Sequence, residues 1–186
     1  MTKHVLGTLA GVGAVFALSA CASLQSGPVG NTAVPEPAKA VDLTRYAGRW
    51  YEIARYEAGF QRGCEASTAT YGLRPDGLIS VLNTCRQDEV DGALRSIEGK
   101  AKVIDSGVNA KLKVSFFGPF YFGNYWVVDH AEDYSWSIVG EPSGRYLWLL
   151  SRTPTPSIQV RDTIMSRARD LGYDLSLLRM TRQPEN

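Results

Sequence analysis

The chain is predicted to be all-β: eight antiparallel strands close in up-and-down order into a barrel, with one C-terminal helix packed outside. Three observations carry this. Between residues 49 and 152, apolar and polar residues alternate in short segments separated by turn chemistry, the period of a sheet with one wet face. Gly48-Arg49-Trp50 opens the first segment and Arg152 closes the last, so one indole can plug the narrow end of a barrel while a guanidinium lies across its face. Only one stretch, residues 157–171, has helical spacing, which leaves no basis for an α/β fold.

The first strand is expected over residues 49–55. Residues 66–73 and 78–86 flank Arg74-Pro75-Asp76-Gly77, where Pro and Gly supply a tight turn and make the two a hairpin. Residues 95–104 place Ile97, Gly99, Ala101 and Val103 on one face and Ser96, Glu98, Lys100 and Lys102 on the other. Residues 111–117 oppose Leu112, Val114 and Phe116 to Lys113, Ser115 and Phe117. Strands over 124–130, 134–140 and 145–152 follow, the last two joined around Pro142-Ser143-Gly144. Val160, Ile164, Ala168 and Leu171 then form an apolar helical stripe that Gly172 can end. A short strand over 177–182 returns to the sheet.

Three segments in order, Gly48-Arg49-Trp50-Tyr51-Glu52-Ile53-Ala54-Arg55, then Leu112-Lys113-Val114-Ser115-Phe116-Phe117-Gly118-Pro119-Phe120-Tyr121, then Tyr146-Leu147-Trp148-Leu149-Leu150-Ser151-Arg152-Thr153-Pro154, resemble the lipocalin family. The likeness is to its bacterial outer-membrane lipoproteins and their apolipoprotein D-like relatives, and it spans residues 41–183. Asp129 or the Asp133-Tyr134 pair stands near the place of the middle family motif. The resemblance implies a binding protein whose ligand is a lipid, here a fatty acid or a lysophospholipid, with no cofactor and no catalytic residues.

The N-terminus reads as a lipoprotein leader. Lys3 precedes an apolar, small-residue run from Val5 to Leu18, too short to span a bilayer comfortably, and Leu18-Ser19-Ala20-Cys21 resembles the bacterial lipobox. Residues 1–20 are therefore expected to be a signal peptide and Cys21 the site of lipidation, with a diacylglycerol and an N-acyl (palmitate-type) chain. Ala22 in place of Asp implies sorting to the outer membrane. Residues 21–40, with Pro35 and Pro37, are expected to be a flexible tether, and residues 41–183 a single barrel domain.

Of 20 basic and 19 acidic residues, only Lys3 lies in the leader, which leaves the mature chain with no formal net charge. That excludes a nucleic-acid footprint and a polybasic membrane contact, so membrane attachment rests on the acyl groups. Outside the leader His130 is the one histidine, which excludes a multi-histidine metal site and a Ser-His-Asp triad. It is expected at a strand end or on the surface. A homodimer is compatible with this surface.

Parity from Trp50 and Arg152 then names the interior. Glu52 and Ala54 follow Trp50, and Tyr146, Trp148 and Leu150 precede Arg152. Ile97, Val103, Phe116, Trp136 and Ile138 join them, with Tyr121 expected at the cavity edge. An inward Glu52 must meet a cation, a hydroxyl or a ligand group. The ligand-binding candidates are thus Glu52, Ile97, Phe116, Tyr121, Trp136, Tyr146 and Trp148. Cys64 and Cys85 stand at the far ends of the hairpin around residues 75–76, within reach of a disulfide in an oxidising envelope. The rival reading leaves one of them a free nucleophile, as in the lipocalin-type prostaglandin synthases; another rival is a structural protein with a filled barrel.

Overall fold

The computed structural model describes residues 27–184, and the expected signal peptide and lipidation site, Cys21, lie outside them. The strands are β1 Gly48–Tyr56, β2 Cys64–Leu73, β3 Ile79–Gln87, β4 Leu94–Val103, β5 Lys111–Ser115, β6 Gly123–His130, β7 Trp136–Gly140 and β8 Leu147–Ser151. Each pairs antiparallel with the next, and β1 pairs with both β2 and β8, which closes the ring. Loops after β1, β3, β5 and β7 therefore gather at one end, the mouth, and those after β2, β4 and β6 at the other, the closed end.

Two short elements escaped the sequence pattern or were placed only roughly by it. Helix α1, Leu43–Tyr46, is one turn held by the Asp42 carboxylate, which accepts from the backbone N–H groups of Thr44 and Arg45. Four residues give no readable period. Strand β9, Leu178–Met180, pairs with Ala54–Tyr56 of β1, the half of β1 that lies beyond its last β2 partner, Thr68. The chain after β9 seals this seam: Arg182 O accepts from Ala66 N at 2.8 Å, and Gln183 Nε2 donates to Glu52 O and Ser67 O.

Helix α2, Ile158–Asp170, is capped by the Ser157 hydroxyl and ended by Gly172 at φ 89°. Its buried Ile164 and Ala168 press on Ala54, Tyr56, Ile138, Leu147 and Leu149, so the outer wall here is as apolar as the lumen. That defeats parity reasoning on β7. In the β7–β8 register Ser137 stands opposite Leu150 and Val139 opposite Trp148, which puts Ser137 and Val139 inside. Trp136 and Ile138 belong to the layer beneath α2, not to the lumen as expected. Ala54 also moves outside, because a bulge at Ile53 shifts β1 by one residue against β8.

The expected tether is corrected as well. Residues 27–40 lie as a strap along the barrel, running from the mouth to the closed end. Gly27 O accepts from Arg145 Nη1 at 2.7 Å, and Gly30 N and Asn31 N donate to Gly144 O. Asn31 is buried and donates to Leu171 O, Lys39 pairs with Glu132, and Val41 N reaches Val108 O. Backbone hydrogen bonds of this kind hold a segment that composition alone reads as free chain. His130 ends β6, a strand end as expected, but it is buried beneath this strap and stacked on Tyr134 at 4.4 Å instead of lying at the surface.

Candidate functional site: the barrel lumen and its mouth

The closed end forms the floor. Trp50 is fully buried and donates its indole N–H to Tyr46 O at 2.8 Å. Arg152 lies over the Trp50 ring, 3.8 Å from its centroid, and its guanidinium donates to Arg45 O, Tyr46 O and Arg49 O. One cation thus staples α1, the start of β1 and the end of β8. Burial pulls the Arg152 pKa below its ordinary value, though a guanidinium stays charged. Of the two candidates for the middle motif, Tyr134 reaches this end, accepting from Asp42 N at 2.8 Å, whereas Asp129 faces outward to Arg167 of α2.

Above the indole three phenols share one hydrogen-bonded cluster. Tyr46 Oη lies 2.9 Å from Tyr125 Oη and 3.0 Å from Ser137 Oγ, and Tyr71 donates to Tyr125 at 2.9 Å. Burial pushes the Tyr46 hydroxyl up to about 12, and raises Tyr71 and Tyr125 well above the ordinary value. The floor is therefore neutral at any physiological pH and can donate and accept without carrying charge.

The wall is aliphatic. Ile79, Val81, Ala101 and Leu112 form its buried part, with Val103, Val114 and Phe116 packed against them. Gly99 makes room for Phe116, since a Cβ there would stand 2.7 Å from that ring. Tyr71, Val114, Phe116, Tyr125 and Trp148 face inward yet are only half-buried, and Ile97, higher on β4, is 40 % exposed. These surfaces line a lumen that communicates with solvent through the mouth.

At the mouth side of β1 a carboxylate and a guanidinium are paired. The bulge at Ile53 turns Arg55 to the same face as Glu52, and its Nη1 meets Glu52 Oε1 at 2.7 Å with both side chains buried. Gln61, from the loop after β1, donates to Glu52 Oε2 and accepts the Trp148 indole N–H at 3.0 Å. Thr181 donates to Glu52, and Arg55 also donates to Cys64 O. Glu52 thus meets a cation, a hydroxyl and an amide at once. Trp148 stacks on Tyr146 at 5.8 Å, and Tyr146 packs at a tilt against Phe60 at 5.9 Å, so an aromatic ladder climbs from the lumen to the rim. Asn83, opposite Ile97, has a buried Oδ1 without a partner among the described residues.

Tyr121 is not at the cavity edge. Short β5 lets the loop 116–122 fold back over the outer face of β4, and Tyr121 lies under Lys102 Nζ at 4.7 Å. Cys64 and Cys85 are bridged. The sequence reading missed Tyr46, Tyr71, Tyr125, Arg55, Gln61 and Asn83. Tyr71 and Asn83 could have been found by extending the alternation of β2 and β3 from Trp50; Arg55 could not, because nothing local announces the bulge.

A family model described as a lipocalin-like domain matches residues 41–183. The chain is 41 % identical over 181 residues to an Escherichia coli K12 protein named outer membrane lipoprotein Blc, covering 97 % of this chain and 98 % of that one. The protein of the same name from Vibrio cholerae O1 is 40 % identical over 171 residues, 91 % of this chain and 98 % of its own. Temperature-induced lipocalin-1 of Arabidopsis thaliana is 39 % identical over 158 residues, covering 81 % of this chain and 83 % of its own. Among solved structures, insecticyanin of the tobacco hornworm Manduca sexta superposes with a TM-score of 0.65 at 20 % identity, over 83 % of this chain and 88 % of that one, which speaks to the fold alone.

Proposed function

The chain belongs to the lipocalin family, and from that premise we propose that it is a lipid-binding lipoprotein of the bacterial outer membrane, anchored through acyl groups on Cys21, that stores, scavenges or transfers a fatty acid or a lysophospholipid. The names of the bacterial relatives support the location. The observation that carries the ligand class is the half-buried apolar wall ending in the Trp148–Tyr146–Phe60 ladder. An acyl chain laid along that wall gains about 25 cal/mol for each Å² of apolar surface removed from water. Its polar head would stop at the mouth, where the open acceptor of Asn83 can take a hydrogen bond from a hydroxyl or ammonium group of a lysophospholipid head.

The neutral floor suits the chain's methyl end better than a charged one, because a carboxylate among the buried phenols would lack a counter-ion. An enzymatic reading needs a free thiol, and the Cys64–Cys85 bridge consumes both candidates in the domain.

The test is titration of the delipidated protein with a fluorescent fatty acid, followed by competition with lysophospholipid and diacyl phospholipid. Saturable one-to-one binding displaced by single-chain lipids is expected. Trp148→Ala should weaken it by about tenfold, roughly 1.4 kcal/mol, while the domain stays folded. A folded wild-type domain with no saturable binding would point instead to a filled, structural barrel.

A further inference from the structure

The described residues hold five phenylalanines, of which Phe116 faces the lumen; the other four are the most solvent-exposed aromatics among the described residues, at 65 % for Phe60, 78 % for Phe117, 61 % for Phe120 and 81 % for Phe122. Phe60 stands on the loop after β1 and the other three on the loop between β5 and β6; both loops leave the barrel on the mouth side, the second folding back over the outer face of β4. Phe120 and Phe122 stack on each other at 5.7 Å, in water. Exposed apolar groups scattered singly are ordinary, but a whole residue class gathered at one end of a barrel marks a contact surface.

The strap shows what covers it. Gly27 is pinned at the mouth by Arg145, and a Cβ placed on it would come within 3.1 Å of Glu57 O, on the loop that carries Phe60. From Cys21 to Gly27 is six residues, which reach at most about 20 Å even when fully extended. Nine-residue β1 is about 30 Å long at roughly 3.3 Å per residue. Tilted by about 35–45° as barrel strands are, β1 spans about 21–25 Å along the axis, so an acyl anchor on Cys21 starts beside the mouth and falls short of the closed end.

Resting on the reading that Cys21 is acylated, we infer that the open mouth of the barrel is docked on the membrane surface, with Phe60, Phe117, Phe120 and Phe122 entering the boundary between headgroups and acyl chains. The partner is a lipid surface, reached by apolar insertion, since the mature chain carries no net charge to draw it there. The aromatic ladder from Phe60 through Tyr146 to Trp148 then joins the bilayer to the lumen, so a single-chain lipid passes between them without crossing open water. The bulk of the barrel, including α2 and the closed end, faces away.

The mature, lipidated protein is reconstituted in phosphatidylethanolamine/phosphatidylglycerol vesicles containing brominated phospholipid, and its Cys21 peptide is analysed by mass spectrometry. Phe122→Trp places a reporter at the mouth. Ile158→Trp places one at the closed end, where Ile158 is 75 % exposed. Acylated Cys21 with loss and blue shift of the added emission for Phe122→Trp, and neither for Ile158→Trp, is the expected result. Acylated protein that floats with the vesicles but shows equal quenching at both sites, none at either, or quenching only at Ile158→Trp overturns the orientation and leaves the anchor intact. An unmodified Cys21 overturns the anchor and the docking together.

Discussion

The two ends of the lumen solve the cost of buried polarity in different ways. At the floor, Tyr46, Tyr71, Tyr125 and Ser137 are neutral and satisfy one another, and the cation beneath them, Arg152, stays at the edge, spread over an indole and four carbonyls. At the mouth, a carboxylate and a guanidinium are buried together, and both need extra partners from Gln61, Thr181 and Cys64 O. A neutral cluster needs only geometry, whereas a buried ion pair needs every remaining lone pair and proton met. The floor is built to shut and the mouth to meet polar groups, the division that the proposed carriage of single-chain lipids requires.

The contrast can be broken hardest at the floor. Trp50→Ala removes the plug and the platform for Arg152, and should lower unfolding free energy by about 3–5 kcal/mol in urea titration; a loss below 1 kcal/mol would mean the end is held by α1 alone. At the mouth side, removing the Cys64–Cys85 bridge with paired serines frees a loop with a sequence separation of 21, and about 3 kcal/mol should be lost, read the same way.

Alkali sharpens the comparison because the floor titrates there. Tyr46 ionises near 10 when unfolded and is raised to about 12 by burial when folded, so its contribution is complete below pH 10 and fades as pH climbs through 12. About 2–3 kcal/mol should disappear over that window, and less in Tyr46→Phe. Urea midpoints that do not move between pH 8 and pH 11 would show the phenols to be solvated. The smallest effect belongs to the mouth: Gln61→Ala frees Glu52 Oε2 and the Trp148 N–H beside solvent, costing about 1 kcal/mol of stability while altering the rank order of single-chain ligands in competition assays.

Much of this was legible in residues 41–183. The alternation on β3, β4 and β5 is clean because their outer faces meet water, so Lys100, Lys102 and Lys113 mark outside and Ala101 and Leu112 mark inside. Trp50 and Arg152 could be matched as a pair because a glycine, a large indole and a distant arginine answer one geometric need. Trp136 could not be placed, since α2 makes both faces of β7 apolar and erases the signal on which parity depends. Arg55 faced the wrong way on paper for a different reason: one bulged residue reverses every side chain beyond it. The strap was read as tether because its partners lie about a hundred residues away, at His130, Gly144 and Leu171.

The sequence by itself determined that strands would alternate and that they would close around one indole, because each depends on neighbours along the chain or on a residue type with one physical use. Only the tertiary structure decided which face of β7 looks inward, where Glu52 finds its counter-ion, and at which end the strap begins. Those depend on register, on a single bulge and on long-range backbone hydrogen bonds, which are set when distant segments compete for the same buried space.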